Sequence, residues 1–193
     1  RRGCSARGPA SHNGSMTAYL GFLRAINLGP TRVFPKDDIR RTVGEAGFAD
    51  AETYINTGNV RFTTSMRSRA RIEERLEAAF AADRGFEVPT IVYAATEFGA
   101  LAGATAELHD AHPDAVRHYV YLLKEEPDAD QAARIEGTSS DDGVMVVRGR
   151  SAHALLGPGY RPGAVDPLGA SRLLGVGTAR TAKVVATLAQ RWC

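Results

Sequence analysis

The sequence predicts an α+β protein. A ferredoxin-like subdomain of order βαββαβ is expected over residues 16–95, and a smaller βαββα subdomain over 96–193. Three observations predict it. Short apolar runs rich in β-branched and aromatic residues alternate with two helical patterns between Ala18 and Ala94. The turn Asn56-Thr-Gly-Asn59 joins two of those runs as a hairpin. A similar order of elements, without a repeat in sequence and without a clean final strand, returns after Arg117.

Residues 18–26 (AYLGFLRAI) form the first strand, broken by Asn27-Leu-Gly-Pro30. A helix follows over 35–46. Pro35 loses no needed N–H at its start, and Asp37 and Asp38 face the positive end of its dipole. Ile39 and Val43 share one face, and Gly47 ends it. Strands over 52–55 and 60–64 flank the hairpin turn. The helix over 67–82 carries an apolar stripe of Ile72, Leu76, Ala79 and Phe80, and Glu73, Glu74 and Glu77 are expected on its solvated side. A strand over 87–94, with Pro89 near its start, completes the first unit at an edge. Beyond it the reading is a short helix from Thr96 to Leu101, a loop over 102–115, a strand over 117–123 and a helix over 128–136. Two strands over 144–148 and 151–156, a rigid glycine-proline loop over 157–163, and helices over 167–174 and 178–190 follow.

The 193 residues carry 24 Lys and Arg against 22 Asp and Glu, a net charge of +2. Residues 1–15 contain Arg1, Arg2 and Arg7, no acid and no hydrophobic periodicity, and end in Gly-Ser before Met16. They read as a disordered cloning leader. From Met16 onward the balance falls to a net of −1, which offers no field for a polyanion. No RNA-binding string accompanies Tyr19, Phe22 and Phe62, so these aromatics are assigned to the core and nucleic acid is not expected as a partner. No run is long and apolar enough to cross a membrane. The only cysteines are Cys4 and Cys193, so there is no disulfide framework, and a reducing cytoplasm is expected. Lysine is confined to Lys36, Lys124 and Lys183, the composition of a high-GC, actinobacterial genome.

The string Phe22-Leu-Arg-Ala-Ile-Asn-Leu-Gly29, then Gly47-Phe48 and Thr53-Tyr-Ile-Asn-Thr-Gly-Asn59, resembles the DUF1697 family. Its members open on a strand ending LRGINVGG and continue to GF…TYIxSGNVxF. Here Ala25, Pro30 and Thr57 depart from that pattern. The resemblance runs from Met16 to about Ala94 and includes Phe86-x-Val88-Pro89. It is poor in the C-terminal half. Asp166-Pro-Leu168 stands near the family's Ser-Lys-Leu. Of a Thr-x-Arg-Asn-Trp-Asn-Thr segment only Thr178 and Arg180 remain, with Ala182 and Lys183 at the Trp and Asn positions. The resemblance implies an α+β fold and no established activity. If that segment forms a family site, this chain has lost part of it.

In the predicted topology the end of the first strand meets the hairpin feeding the third. Arg24, Asn27 and Gly29 then lie near Tyr54, Asn56, Thr57, Gly58 and Asn59, with Arg180 approaching from the C-terminal part. A guanidinium, amides, a hydroxyl and backbone N–H groups without a carboxylate suit a small polar or anionic ligand. The same residues also suit a tight turn that merely ties down its own backbone. An enzyme on this surface, or a module that dimerises weakly through a strand edge, are the alternatives; no nucleophile or base is evident. His109 and His112 with Asp110 and Asp114 lack a third ligand and are read as solvated loop residues, so neither metal nor cofactor is expected. His118 and His153 are placed half-buried in strands.

Overall fold

The computed structural model describes residues 15–164 and 166–193; the expected leader, apart from Ser15, lies outside them. Two four-stranded antiparallel sheets organise the chain. The first contains β1 (Thr17–Leu23), β2 (Ala49–Tyr54), β3 (Asn59–Thr64) and β4 (Thr90–Ala94) in the order β2-β3-β1-β4. Helices α1 (Lys36–Glu45) and α2 (Arg69–Arg84) connect them, and α3 (Ala95–Ala111) leads out. The second contains β5 (Arg117–Leu123), β6 (Gly143–Arg148), β7 (Ser151–Leu156) and β8 (Gly177–Thr181) in the equivalent order β6-β7-β5-β8. Helix α4 (Ala129–Glu136) follows β5, and α5 (Ala182–Trp192) follows β8.

Period-two alternation puts successive β1 side chains into different cores. Tyr19 and Leu23 pack with Ile39 and Val43 of α1 and Ile72, Leu76 and Phe80 of α2. Leu20 and Phe22 join Phe98 of α3 and Val185, Leu188 and Trp192 of α5. That second core also takes Val120 and Leu122 of β5, so α3 and α5 lie between the two sheets and are shared by both. Each such buried apolar side chain is worth about 1.5–3 kcal/mol relative to exposure. A third core, with Leu123, Ile135, Met145 and Leu156, lies under α4.

Several expectations need correction. The first strand ends at Leu23, because Ala25 and Asn27 take positive φ (56° each) and turn the chain. The expected loop over 102–115 is largely helix: α3 runs unbroken through Gly103 to Ala111. A helical glycine costs about 1 kcal/mol relative to alanine, and burial of Phe98 and Thr105, with Leu101 and Ala102 packed alongside, outweighs it. His109 is therefore a helix residue, and His112 is its C-cap. The expected helix over 167–174 is a set of turns. Ser171 donates N–H and O–H to the Asp166 carboxylate, Gly169 has φ +70°, and Leu168, Ala170 and Leu174 close the third core. Residues 177–181 pair with β5 as the final strand that the sequence hid, and the last helix begins after it.

Glu73 and Glu77 are not a solvated face. β4 is an edge strand, and its outward N–H groups need acceptors. Glu77 Oε1 accepts from Thr90 N–H at 2.8 Å, and Glu73 Oε1 from Val92 N–H at 2.9 Å. Lys124 Nζ lies 2.5 Å from Glu77 and 3.9 Å from Glu73. Burial pushes the Glu73 carboxyl up, against the pull of the Val92 N–H and Lys124.

Candidate functional site

The hairpin cluster forms, and its polar groups are turned on one another. Asn27 Nδ2 donates to Asn56 O (2.8 Å) and Phe34 O (3.2 Å), while its Oδ1 accepts from Phe34 N–H (2.8 Å). Asn56 Oδ1 accepts from Lys36 N–H at the start of α1. Asn59 is buried; its Nδ2 donates to Tyr54 O and to Thr57 Oγ1. Gly58, at φ +73°, has no room for a side chain, since a Cβ would lie 2.9 Å from both Ile26 Cδ1 and Leu23 Cβ.

Arg180 reaches this turn from β8. Its Nε donates to Asn59 Oδ1 (2.7 Å), Nη2 to Thr57 O (2.6 Å) and Gly58 O (3.5 Å), and Nη1 to Thr178 Oγ1 (2.9 Å) and Ala179 O (2.8 Å). All five donors are thus taken. The guanidinium also lies 5.7 Å from the Phe22 ring. No carboxylate is among these partners, and burial pulls the Arg180 pKa down to about 10. Arg24 and Gly29 stand apart from the network: both are exposed, and Arg24 N–H bonds Pro89 O. Tyr54 contributes its carbonyl, and its ring lies under the Arg191 guanidinium at 5.5 Å.

A counterpart joint lies in the β6–β7 turn. Arg150 donates to Val92 O (3.0 Å), Leu123 O (2.9 Å) and Glu97 Oε1 (3.1 Å), with its guanidinium 4.2 Å from the centre of the Tyr93 ring. The central hairpin of each sheet is thereby tied to the last strand of the other.

The principal cavity is elsewhere. It encloses about 440 Å³ between α3, β5 and the start of α5, within the range of small-molecule sites. Alanines and Val116 line its floor, and Thr105, His109, Asp110, Arg117, His118 and Lys183 supply its polar wall. Lys183 is in the first turn of α5, where Thr181 caps Val184 N–H and the helix dipole is positive. Ala182, beside Lys183, also lines this cavity.

Behind the wall runs a buried polar chain that sequence reading missed. Alternation places Ser151 and His153 on one face of β7, with His118 across on β5. Ser151 Oγ donates to Arg148 O (2.8 Å) and contacts His153 Nε2 (3.0 Å). His153 Nδ1 contacts His118 Nε2 at 3.0 Å, and the His118 ring stacks on His109 with centroids 6.0 Å apart. His118 is 4% exposed and His153 fully enclosed. Burial holds the His118 pKa down to about 4, helped by His109 and His112; burial and His118 hold His153 down to about 3. His118 Nδ1 has no partner. A Ser-x-His on a strand with a His on the neighbouring strand was the available signal, but it has meaning only once the register is known. Among the described residues, no three His, Cys, Asp or Glu side chains converge as a metal site requires, and no helix is long and apolar enough to cross a membrane.

Two antiparallel sheets sharing a helical layer define the class, a mixed α+β protein with a cavity of about 440 Å³ beside the shared helices. The chain belongs to the DUF1697 family, a protein family of unknown function whose model matches residues 16–153. It is similar to the solved structure of a conserved bacterial protein from Streptococcus pneumoniae, at 25% identity and a TM-score of 0.69, over 93% of this chain and all of that one. No curated protein matches it in sequence.

Proposed function

We propose that this protein binds a small polar or anionic molecule, and that the ligand occupies the α3–β5–α5 cavity rather than the hairpin. The carrying observation is the contrast in free polar capacity. The donors of Arg180 and the amides of Asn27 and Asn59 are consumed by the protein's own acceptors, whereas the residues lining the cavity of about 440 Å³ include Arg117, Lys183 and His118, whose buried Nδ1 has no partner. Thr57, Asn59 and Arg180 then serve as a joint between the two sheets.

The same reading treats each half as a ferredoxin-like unit, the first over 16–95 and the second over 96–193. Its support is the shared strand order and the antiparallel pairing in both sheets. The second unit has turns over 166–174, with Leu168, Ala170 and Leu174 buried, in place of its second helix.

The test is amide chemical-shift mapping on the full chain with inorganic phosphate and citrate as probes. Shifts are expected at α3, β5 and the first turn of α5. They should disappear in Ala186→Trp, which fills the cavity, and persist in Asn56→Ala. Shifts centred on residues 54–59, or shifts that survive Ala186→Trp, would return the ligand to the hairpin.

A further inference from the structure

We infer that the cavity selects a small anion that also carries an O–H or N–H donor, and that His118 Nδ1 receives that donor. The inference rests on reading the cavity as the ligand site and adds the chemical class.

Proton bookkeeping along the buried chain supplies it. The Arg148 carbonyl cannot donate, so its 2.8 Å contact with Ser151 takes the hydroxyl proton. Ser151 Oγ is then an acceptor, and His153 Nε2 must carry the hydrogen in their 3.0 Å bond. A neutral imidazole holds one N–H, which leaves His153 Nδ1 as a lone pair. Its partner at 3.0 Å, His118 Nε2, must therefore donate. His118 Nδ1 is consequently bare. It is a buried acceptor without a partner, on a residue in the cavity wall. Serine and a backbone carbonyl thus set the tautomer two residues away from the ligand.

The charges around it define the rest of the ligand. Lys183 of α5 and Arg117 of β5 are the cations of the wall; Asp110, beside His109 on α3, is its carboxylate. On its other side His118 is linked through neutral His153 to Ser151 of β7, with Arg148 O beyond them. Lys183 and the first-turn N–H groups of α5 suit a carboxylate or phosphate. Hydroxy acids satisfy both ends, while their deoxy counterparts leave Nδ1 unpaired and should bind about 10- to 100-fold more weakly.

Two measurements on the full chain decide it. Imidazole nitrogen NMR without ligand should show His118 and His153 both neutral with hydrogen on Nε2; an Nδ1–H form of His118 overturns the assignment. Titration with the matched pairs malate and succinate, and lactate and propionate, should favour the hydroxy acid of each pair. That preference should vanish in His118→Phe, while Lys183→Ala weakens both members. Equal binding of both members overturns the donor inference and leaves the ligand site standing. Failure of all four acids to shift any cavity amide removes the site reading and this inference together.

Discussion

Lowering the pH from about 8 to about 5 should destabilise the fold by about 4 kcal/mol, through His118 and His153 alone. Both histidines titrate near 6.5 in an unfolded chain and are held near 4 and near 3 in the fold. The folded pKa is depressed, so between these values the unfolded state binds the extra proton. Stability is full above the unfolded pKa and falls as pH drops below it. The slope is about 1.4 kcal/mol per pH unit for each histidine, giving about 2 kcal/mol each at about pH 5. At that pH the result does not depend on how the two depressed values are divided, because both lie below it. Glu52 and Asp83, whose carboxyls are held low by Arg191 and Arg41, begin to cost stability only in more acid solution. Glu73 is held high and works in the opposite direction, trimming the loss toward the acid end.

The assay is urea unfolding across this range at constant ionic strength. With a slope of about 2–3 kcal/mol/M for a chain of this size, the midpoint should fall by about 1.3–2 M. In His118→Phe/His153→Leu the dependence should flatten between about pH 7 and about pH 5, since Ser151 keeps its bond to Arg148 O and both buried rings that resist protonation are gone. An unchanged midpoint in the parent protein, or an unchanged slope in the double variant, would refute the buried neutral pair.

Gly58→Ala should cost about 2–4 kcal/mol by urea unfolding, combining the left-handed backbone with the 2.9 Å collisions against Leu23 and Ile26. Arg180→Met should cost about 1–3 kcal/mol, because Asn59 Oδ1 and Thr57 O lose their donor while an uncompensated cation is removed. Its signature is faster amide exchange in β3 and β8. Glu73→Gln should stay within about 1 kcal/mol of the parent protein, because the amide oxygen can still accept from Val92 N–H. Glu73→Leu strands that donor and should lower stability by about 1–3 kcal/mol in the same assay.

The first unit was legible because its signals are local. The Asn56–Asn59 turn, the Ile39/Val43 and Ile72/Leu76/Phe80 stripes and the apolar run of β1 each specify an element without knowledge of its partner. The second unit depends more on tertiary context. Helix α3 carries Gly99 and Gly103 and is held in the one core that both sheets share; β8 is five residues of small and polar character whose one buried side chain is an arginine. Glu73 shows the same limit. On a helical wheel it belongs to the polar side, and only the edge position of β4 makes it a buried acceptor. The hairpin cluster was found because asparagine and glycine are conspicuous at a turn. The cavity was missed because its walls come from three elements, one read as a loop and one with its start misplaced.

The joint and the cavity are mechanically related, which bears on how hairpin variants should be interpreted. The cavity lies between α3, which continues from β4 of the first sheet, and α5, which continues from β8 of the second. Arg180 is in β8 one residue before the Thr181 cap of α5, so its bonds to Thr57 and Asn59 fix the strand from which the cavity-lining first turn of α5 springs. A variant such as Asn59→Ala can then weaken an anion in the cavity without touching it, by releasing Arg180 and with it the position of Lys183. Loss of affinity in hairpin variants therefore does not place the ligand at the hairpin. The two cases separate in the shift map: with the ligand in the cavity, Asn59→Ala reduces affinity while the perturbed amides stay on α3, β5 and α5, whereas a ligand at the hairpin would lose its perturbation at residues 54–59 itself.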